Sequence, residues 1–225
     1  MSDLILEERR ETGTVLLQLN RPDSRNALST ELRKALTDRF AALYDDPDAR
    51  CVVVTGDERA FVAGADIKAM ARMGTAEITR SNVRRMWQVI AQCPIPFIAA
   101  VRGVAFGGGC ELAMHADIII AGENAKFGQP EIKVGIMPGG GGTQRLPRAI
   151  GKFKAMKMML TGDPISGREA FDMGLASECV PDADVLDRAL EMADQIAAMQ
   201  EGIFFFKLAG AHETLPLPHT RPSPV

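Results

Sequence analysis

The sequence lacks the common metal-binding and nucleotide-binding patterns. Its four cysteines, Cys51, Cys93, Cys110 and Cys179, are far apart and form no CxxC pair. The three histidines, His115, His212 and His219, form no HExxH or other ligand cluster, so neither a zinc finger nor a zincin is encoded. Glycine is plentiful, yet no GxxxxGK[ST] or GxGxxG occurs, which argues against P-loop and dinucleotide-binding chemistry. The GxSxG elbow of serine hydrolases is also missing. Charge of one sign is not in excess: the formal net charge is −3, with no basic stripe to grip nucleic acid or an anionic membrane. No apolar run is long enough to span a bilayer. Met1 to Glu11 mixes both signs of charge without a basic region leading into an apolar one, so no signal peptide is read and the expected location is the cytoplasm.

What is present is an ordinary globular composition, 46% hydrophobic and 24% charged over 225 residues, enough for one large domain with a sizeable core. Short apolar runs of strand type recur at Val15–Leu19, Cys51–Thr55, Phe97–Val101 and Asp117–Ala121. Helical patterns alternate with them. Ser29 is an N-cap with Glu31 in the first turn, followed by Leu32, Leu36, Phe40 and Leu43 on one face. Further helices are expected around 67–73, 78–93, 152–160 and 185–199, and Ser166 with Glu169 forms a capping box for a helix that Gly174 closes. Continuous apolar strands alternating with helices predict an α/β protein with largely parallel pairing. No internal repeat is evident. The last residues, with Pro216, Pro218, Pro222 and Pro224, cannot continue a helix and are expected to be extended or poorly ordered.

Two acidic residues stand in unusual settings. Glu111 follows the run Gly107-Gly108-Gly109 inside an apolar stretch, and Glu131 closes Phe127-Gly128-Gln129-Pro130-Glu131 ahead of the run Gly139 to Gly142. A carboxylate among apolar neighbours is costly unless it is paired or used. Two of them beside glycine-rich backbone point to an acid/base pair facing exposed N–H donors. The alternative reading is one helix-cap carboxylate and one surface carboxylate. Glycine at a helix N-terminus lets backbone N–H groups meet developing negative charge, or it simply permits close packing. Ala63-Gly64-Ala65-Asp66-Ile67-Lys68 carries the same two readings: small residues that admit a ligand to the backbone, or a turn in which Asp66 caps the next helix.

Taken together these segments resemble one family. Val53-Val54-Thr55-Gly56, Ala60 to Lys68, Ile98 to Gly103, Gly107 to Ala113, Phe127 to Ile132 and Pro138 to Pro147 are similar to the enoyl-CoA hydratase/isomerase (crotonase) superfamily. Asn26-Ala27-Leu28 and Leu160-Thr161-Gly162 add to the likeness, which runs in family order from about residue 4 to 199. It is nearest to bacterial enoyl-CoA hydratases, including those of phenylacetate degradation that act on 2,3-dehydroadipyl-CoA.

The resemblance implies a crotonase (ClpP-like) spiral of ββα units in a core domain over 1–199, with 200–225 a divergent tail whose helical region is truncated or altered. It implies hydration of the C2–C3 double bond of a 2-trans-enoyl-CoA, in fatty-acid or phenylacetate breakdown. Glu111 corresponds to the general base and Glu131 to the acid. The N–H groups of Ala65 and Gly108 correspond to the oxyanion hole, and Gly139 to a backbone position that orients the water. Arg25, Ala27, Ala63, Ala65, Asp66, Ile67, Lys68, Gly108 and Pro130 correspond to substrate or coenzyme A contacts. No metal and no cofactor beyond the coenzyme A of the substrate is implied, nor any nucleic-acid or membrane partner. The expected assembly is a homotrimer or a dimer of trimers. The remaining alternatives are a Δ3,Δ2-enoyl-CoA isomerase or another acyl-CoA enzyme of this fold, an inactive truncated homologue, and an RNA-binding relative. Having both glutamates favours hydration over isomerisation.

Overall fold

A computed structural model describes residues 3–66 and 83–199. The expectations for 67–73, for 78–82 and for 200–225 lie outside these residues. Three strand-strand-helix units organise the chain. In the first, β3 (Cys51–Thr55) is followed by β4 (Ala60–Val62), and α2 (Val83–Gln92) leads on to the second unit. That unit is β5 (Phe97–Val101), β6 (Val104–Phe106) and α3 (Gly108–His115). The third is β7 (Ile118–Gly122), β8 (Lys126–Gly128), a 3-10 turn over Pro130–Val134, and α4 (Gly142–Ile150).

The first strand of each unit joins one sheet and the second strand joins another. The larger sheet has the order β1-β2-β3-β5-β7-β10, where β1 is Ile5–Arg9, β2 is Thr14–Leu19 and β10 is Glu178–Val180. Only β1 runs antiparallel to its neighbour; the rest of this sheet is parallel, with Val52 to Thr55 in register with Phe97 to Ala100. The smaller sheet has the order β4-β6-β8-β9, with β9 (Ile165–Ser166) antiparallel to β8. The chain therefore steps up both sheets in parallel, one unit per turn of a spiral. The expected α/β class and largely parallel pairing are present. The spiral of ββα units implied by the resemblance is present, although the residue pattern showed no repeat: β4, β6 and β8 have three residues each, too few for a period-2 or apolar-run signal to emerge.

The middle of the larger sheet is buried on both faces, so its central strands read as continuous apolar runs; β3 and β5 are buried at every position. On one face lies the main core, with α1 (Thr30–Tyr44) presenting Leu32, Leu36, Phe40 and Leu43. Ser29 accepts from the Leu32 N–H at 3.2 Å, as its sequence position predicts. On the other face α7 (Val185–Ala197) packs Val185, Ala189 and Ala193 against Val53, Ile98 and Ile120. Small residues on this face let the helix approach closely. The capping box at Ser166 and Glu169 forms and opens α6 (Gly167–Met173), which Gly174 ends in left-handed geometry. Between α4 and β9 runs α5 (Lys152–Thr161), while α4 itself was hidden from sequence by its glycines and by Pro147 inside it. No helix among the described residues is long and apolar enough to cross a membrane.

Candidate active site

The site gathers where the second and third units meet. β6 ends at Phe106, and Gly107 turns the chain into α3 with φ 52° and ψ −120°, a conformation closed to residues bearing a Cβ. The Gly107 N–H donates to Gly128 O at 2.9 Å, tying this turn to the end of β8. The first helical bond is from Glu111 N–H to Gly107 O at 2.9 Å. Gly108 stands at the first helical position, where an N–H has no partner within its own helix and the helix dipole is positive.

Glu111 lies one turn into α3 and is 2% exposed. Its Oε1 accepts from Gly140 N–H at 2.7 Å and from Gly142 N–H at 2.8 Å. The second glycine run is thus folded around the first carboxylate. Burial raises the Glu111 pKa above its ordinary value, and the two N–H donors from Gly142 and Gly140 oppose that rise. Glu131 is 9% exposed and sits in the 3-10 turn directly after Pro130. Its Oε1 lies 3.0 Å from the place a Cβ on Gly107 would occupy, which sets it against the start of α3. Burial, with a smaller contribution from the negative charge of Glu111, pushes Glu131 up to about 7. Both carboxylates are therefore buried rather than on the surface, and Glu111 meets the start of α4 through the Gly142 N–H as well as the loop through Gly140.

The loop residues flagged in the sequence converge on the same place. Arg25 and Asn26 both adopt left-handed backbone, with φ 49° and 55°. Asn26 is fully buried; its Oδ1 accepts from Arg21 N–H at 2.8 Å and its Nδ2 donates to Ala60 O at 3.0 Å. That fixes the segment from Arg25 to Leu28 alongside Ala63 to Ala65, through Ala63 N–H to Arg25 O at 3.0 Å and Leu28 N–H to Gly64 O at 2.8 Å. Leu28 bridges to Ala65, and its Cδ1 lies 3.0 Å from the Cβ position of Gly108. Leu28 thus touches both segments, its backbone at Ala65 and its side chain at Gly108. Ala27 and Ala63 are half-buried beside them, and Arg25 is exposed. Asp66 pairs with Arg21 at 3.4 Å. Ile67 and Lys68 lie outside the described residues. Gly139 is exposed, with open space where a Cβ would point.

Several participants escaped the sequence reading. Gln129 is 1% exposed, and its amide is satisfied when the nitrogen faces Glu131, donating to the two carboxylate oxygens at 3.0 and 3.1 Å. Its position between Gly128 and Pro130 in a stretch already singled out was the available signal. Gly140 and Gly142, rather than Gly139, hold Glu111; nothing in a row of four glycines distinguishes them. Trp87 and His115 stack with ring centroids 5.1 Å apart and planes 10° apart, close to Gly140. A cavity of about 350 Å³ opens at the opposite end of α3, between Met114, Asp117, Arg145 and Ser177, and neither glutamate lines it.

Such an arrangement can hold a polar group between a hydrogen-bonded carboxylate and a second carboxyl that stays protonated to near neutrality, next to helix N–H groups. Comparison with known proteins gives it context. The family model described as Enoyl-CoA hydratase/isomerase matches residues 9–215. The chain is 46% identical over 196 residues to the mitochondrial enoyl-CoA hydratase of Pongo abelii, covering 87% of this chain and 68% of that protein. It is 44% identical over 197 residues to the 2,3-dehydroadipyl-CoA hydratase of Escherichia coli K12, covering 88% of this chain and 76% of that protein. The solved enoyl-CoA hydratase of Bacillus anthracis superposes with a TM-score of 0.89 at 36% identity, over 92% of this chain and 82% of that one.

Proposed function

Because this chain belongs to the enoyl-CoA hydratase/isomerase family, we propose that it adds water across the C2–C3 double bond of a 2-trans-enoyl-CoA to give the 3-hydroxyacyl-CoA. The observation that carries the reading is the pair of buried carboxyls. One is held by two backbone N–H groups; the other keeps its proton up to about 7. In this reading a water molecule lies between them. Glu111, as carboxylate, takes a proton from the water as its oxygen attacks C3. Glu131, as carboxylic acid, gives a proton to C2. One proton is gained and one lost, so the pair resets by exchange with solvent.

Attack at C3 of a conjugated thioester places enolate charge on the thioester oxygen. The N–H groups of Ala65 and Gly108 receive it, the second with the added favour of a helix N-terminus. Removing one such donor typically costs about 10²–10³ in rate. In this reading the backbone of Gly139, exposed at the head of the second glycine run, orients the water. Arg25, Ala27, Ala63, Asp66 and Pro130, with Ile67 and Lys68, form the coenzyme A side of the site in this reading. The chemistry is proton transfer and addition, so it needs no group beyond the coenzyme A of the substrate.

Isomerisation of a 3-enoyl thioester is the second reading. It shuttles one proton between carbons and needs only one carboxylate. The elaborate fixing of Glu111 favours hydration. The assembly proposed is a homotrimer or a dimer of trimers, supported by exposed apolar side chains at Ile136, Met137, Phe153 and Leu160. A cytoplasmic setting fits four cysteines spread far apart in the chain, three of them buried. The test is direct. Purified protein is incubated with crotonyl-CoA and the product analysed by mass; gain of one water with loss of the conjugated chromophore is expected. Conversion of 3-enoyl but not 2-enoyl thioesters would replace hydration by isomerisation.

A further inference from the structure

Glu111 and His115 are four residues apart on α3, so they share one helix face. Both reach the same residue of the facing loop. Glu111 Oε1 accepts from Gly140 N–H at 2.7 Å, while His115 Nε2 lies 2.9 Å from Gly140 O. A carbonyl oxygen can only accept, so Nε2 must carry hydrogen and donate. One residue is thus gripped at its N–H and at its C=O by side chains one helical turn apart.

The His115 ring is itself held in place. Trp87 stacks on it with planes 10° apart. The same indole closes over Gly140, with Cε2 and Cζ2 2.5 and 2.6 Å from where a Cβ would stand. Position 140 therefore has no room for a side chain. A histidine in the last turn of a helix commonly serves the dipole as a cation. Here burial, then the charge of Arg145, pushes the ring down to about 4, so at neutral pH it offers a neutral N–H donor. Nδ1 is buried with no hydrogen-bond partner among the described residues.

We propose that His115 is a positioning residue: through Nε2–H it fixes the Gly140 carbonyl, and so keeps the N–H groups of Gly140 and Gly142 aimed at Glu111. The proposal rests on the role of Glu111 as base, but its geometry does not depend on which thioester is turned over. The charged groups facing this cluster are Glu131 from the 3-10 turn and Arg145 from α4, with Asp117 just beyond the end of α3. Among the described residues neither Glu131 nor Arg145 hydrogen-bonds the Gly140 peptide. Arg145 instead donates to Met114 O at 3.3 Å, an independent tie between α4 and α3 that survives loss of His115.

The test separates donor from shape. His115→Phe keeps a flat ring on Trp87 but removes the N–H; His115→Gln keeps an N–H at similar reach. The readout is the titration of the Glu111 carboxyl carbon in 13C-glutamate NMR spectra of the full chain, assigned by difference with Glu111→Gln. His115→Phe is expected to raise the Glu111 midpoint by about one pH unit, because weaker donors stabilise the carboxylate less. His115→Gln is expected to restore it. In crotonyl-CoA hydration His115→Phe then lowers kcat about tenfold or more with little change in KM, and shifts the acid limb upward. An unchanged midpoint in His115→Phe overturns the proposal, as does an equal shift in both variants. If His115→Phe does not fold, 15N spectra of wild-type histidine decide: a neutral ring protonated at Nδ1 rather than Nε2 overturns it. Failure of hydration alone, with the midpoint shift intact, counts against the proposed reaction and leaves the clamp standing.

Discussion

Glu131 presses its carboxyl against Gly107: an added Cβ there would stand 3.0 Å from Glu131 Oε1 and 3.4 Å from its carboxyl carbon. The residue that turns the chain into α3 also defines the floor under the second carboxyl. Gly107→Ala is expected to cost about 1–3 kcal/mol through its positive φ. It also displaces Glu131 and tilts the Gly108 N–H. Chemical denaturation should register the loss of stability, and kcat should fall by more than KM rises. Wild-type kcat in a destabilised Gly107→Ala protein would detach this turn from catalysis.

Two substitutions at Glu111 should behave differently. Glu111→Gln keeps an oxygen for Gly140 and Gly142, so folding should be preserved while the proposed general base, a role worth roughly 10²–10⁴ in rate, is lost. Glu111→Ala leaves two buried N–H groups unpaired, each costing about 1–3 kcal/mol. Thermal unfolding should separate the two, with Glu111→Gln near wild type and Glu111→Ala markedly lower.

The pH dependence follows from Glu131. Its folded pKa is raised, to about 7, so the folded state binds a proton that the unfolded chain has already released. Its stabilising contribution is complete below the ordinary value of 4.5 and is lost as pH rises through about 7. Hydration should fall along the same limb as the acid loses its proton. Glu131→Gln should flatten the stability profile over this range and abolish turnover. A stability profile in Glu131→Gln as steep as wild type would assign the dependence to another group.

Asn26 offers a prediction remote from the carboxyls. It is fully buried and bonds Arg21 N–H and Ala60 O, holding the Arg25–Leu28 segment against Ala63 to Ala65. Asn26→Ala strands both partners, at about 1–3 kcal/mol for each group left unsatisfied. The loosened segment should raise KM for acyl-CoA more than it lowers kcat. Steady-state kinetics at a temperature where the variant remains folded will show whether the split holds.

Much of the architecture was legible in the sequence because its signals are local. Ser29 and the Ser166–Glu169 box mark helix starts by side-chain bonds to backbone within four residues. The runs at β3 and β5 announce strands buried on both faces. The three-residue strands β4, β6 and β8 gave no such sign, so local pattern alone revealed neither the second sheet nor the repeat, and only the likeness to a family implied them. Short segments become strands only when a neighbour supplies the hydrogen bonds. Glu111 and Glu131 stood out as misplaced charges next to glycine.

The sequence by itself determined that two carboxylates would sit in apolar surroundings beside flexible backbone, since charge, hydrophobicity and glycine content are properties of the chain. Only the tertiary structure decided which backbone meets which carboxylate. Glu111 is held by Gly140 and Gly142 from 29 and 31 residues away, and Glu131 by Gln129 and the turn at Gly107. It also decided that a tryptophan and a histidine with no motif around them would close over that loop. The reason is physical: a hydrogen bond is made in space, and residues far apart in the chain become partners only once the sheets have stacked the units that carry them.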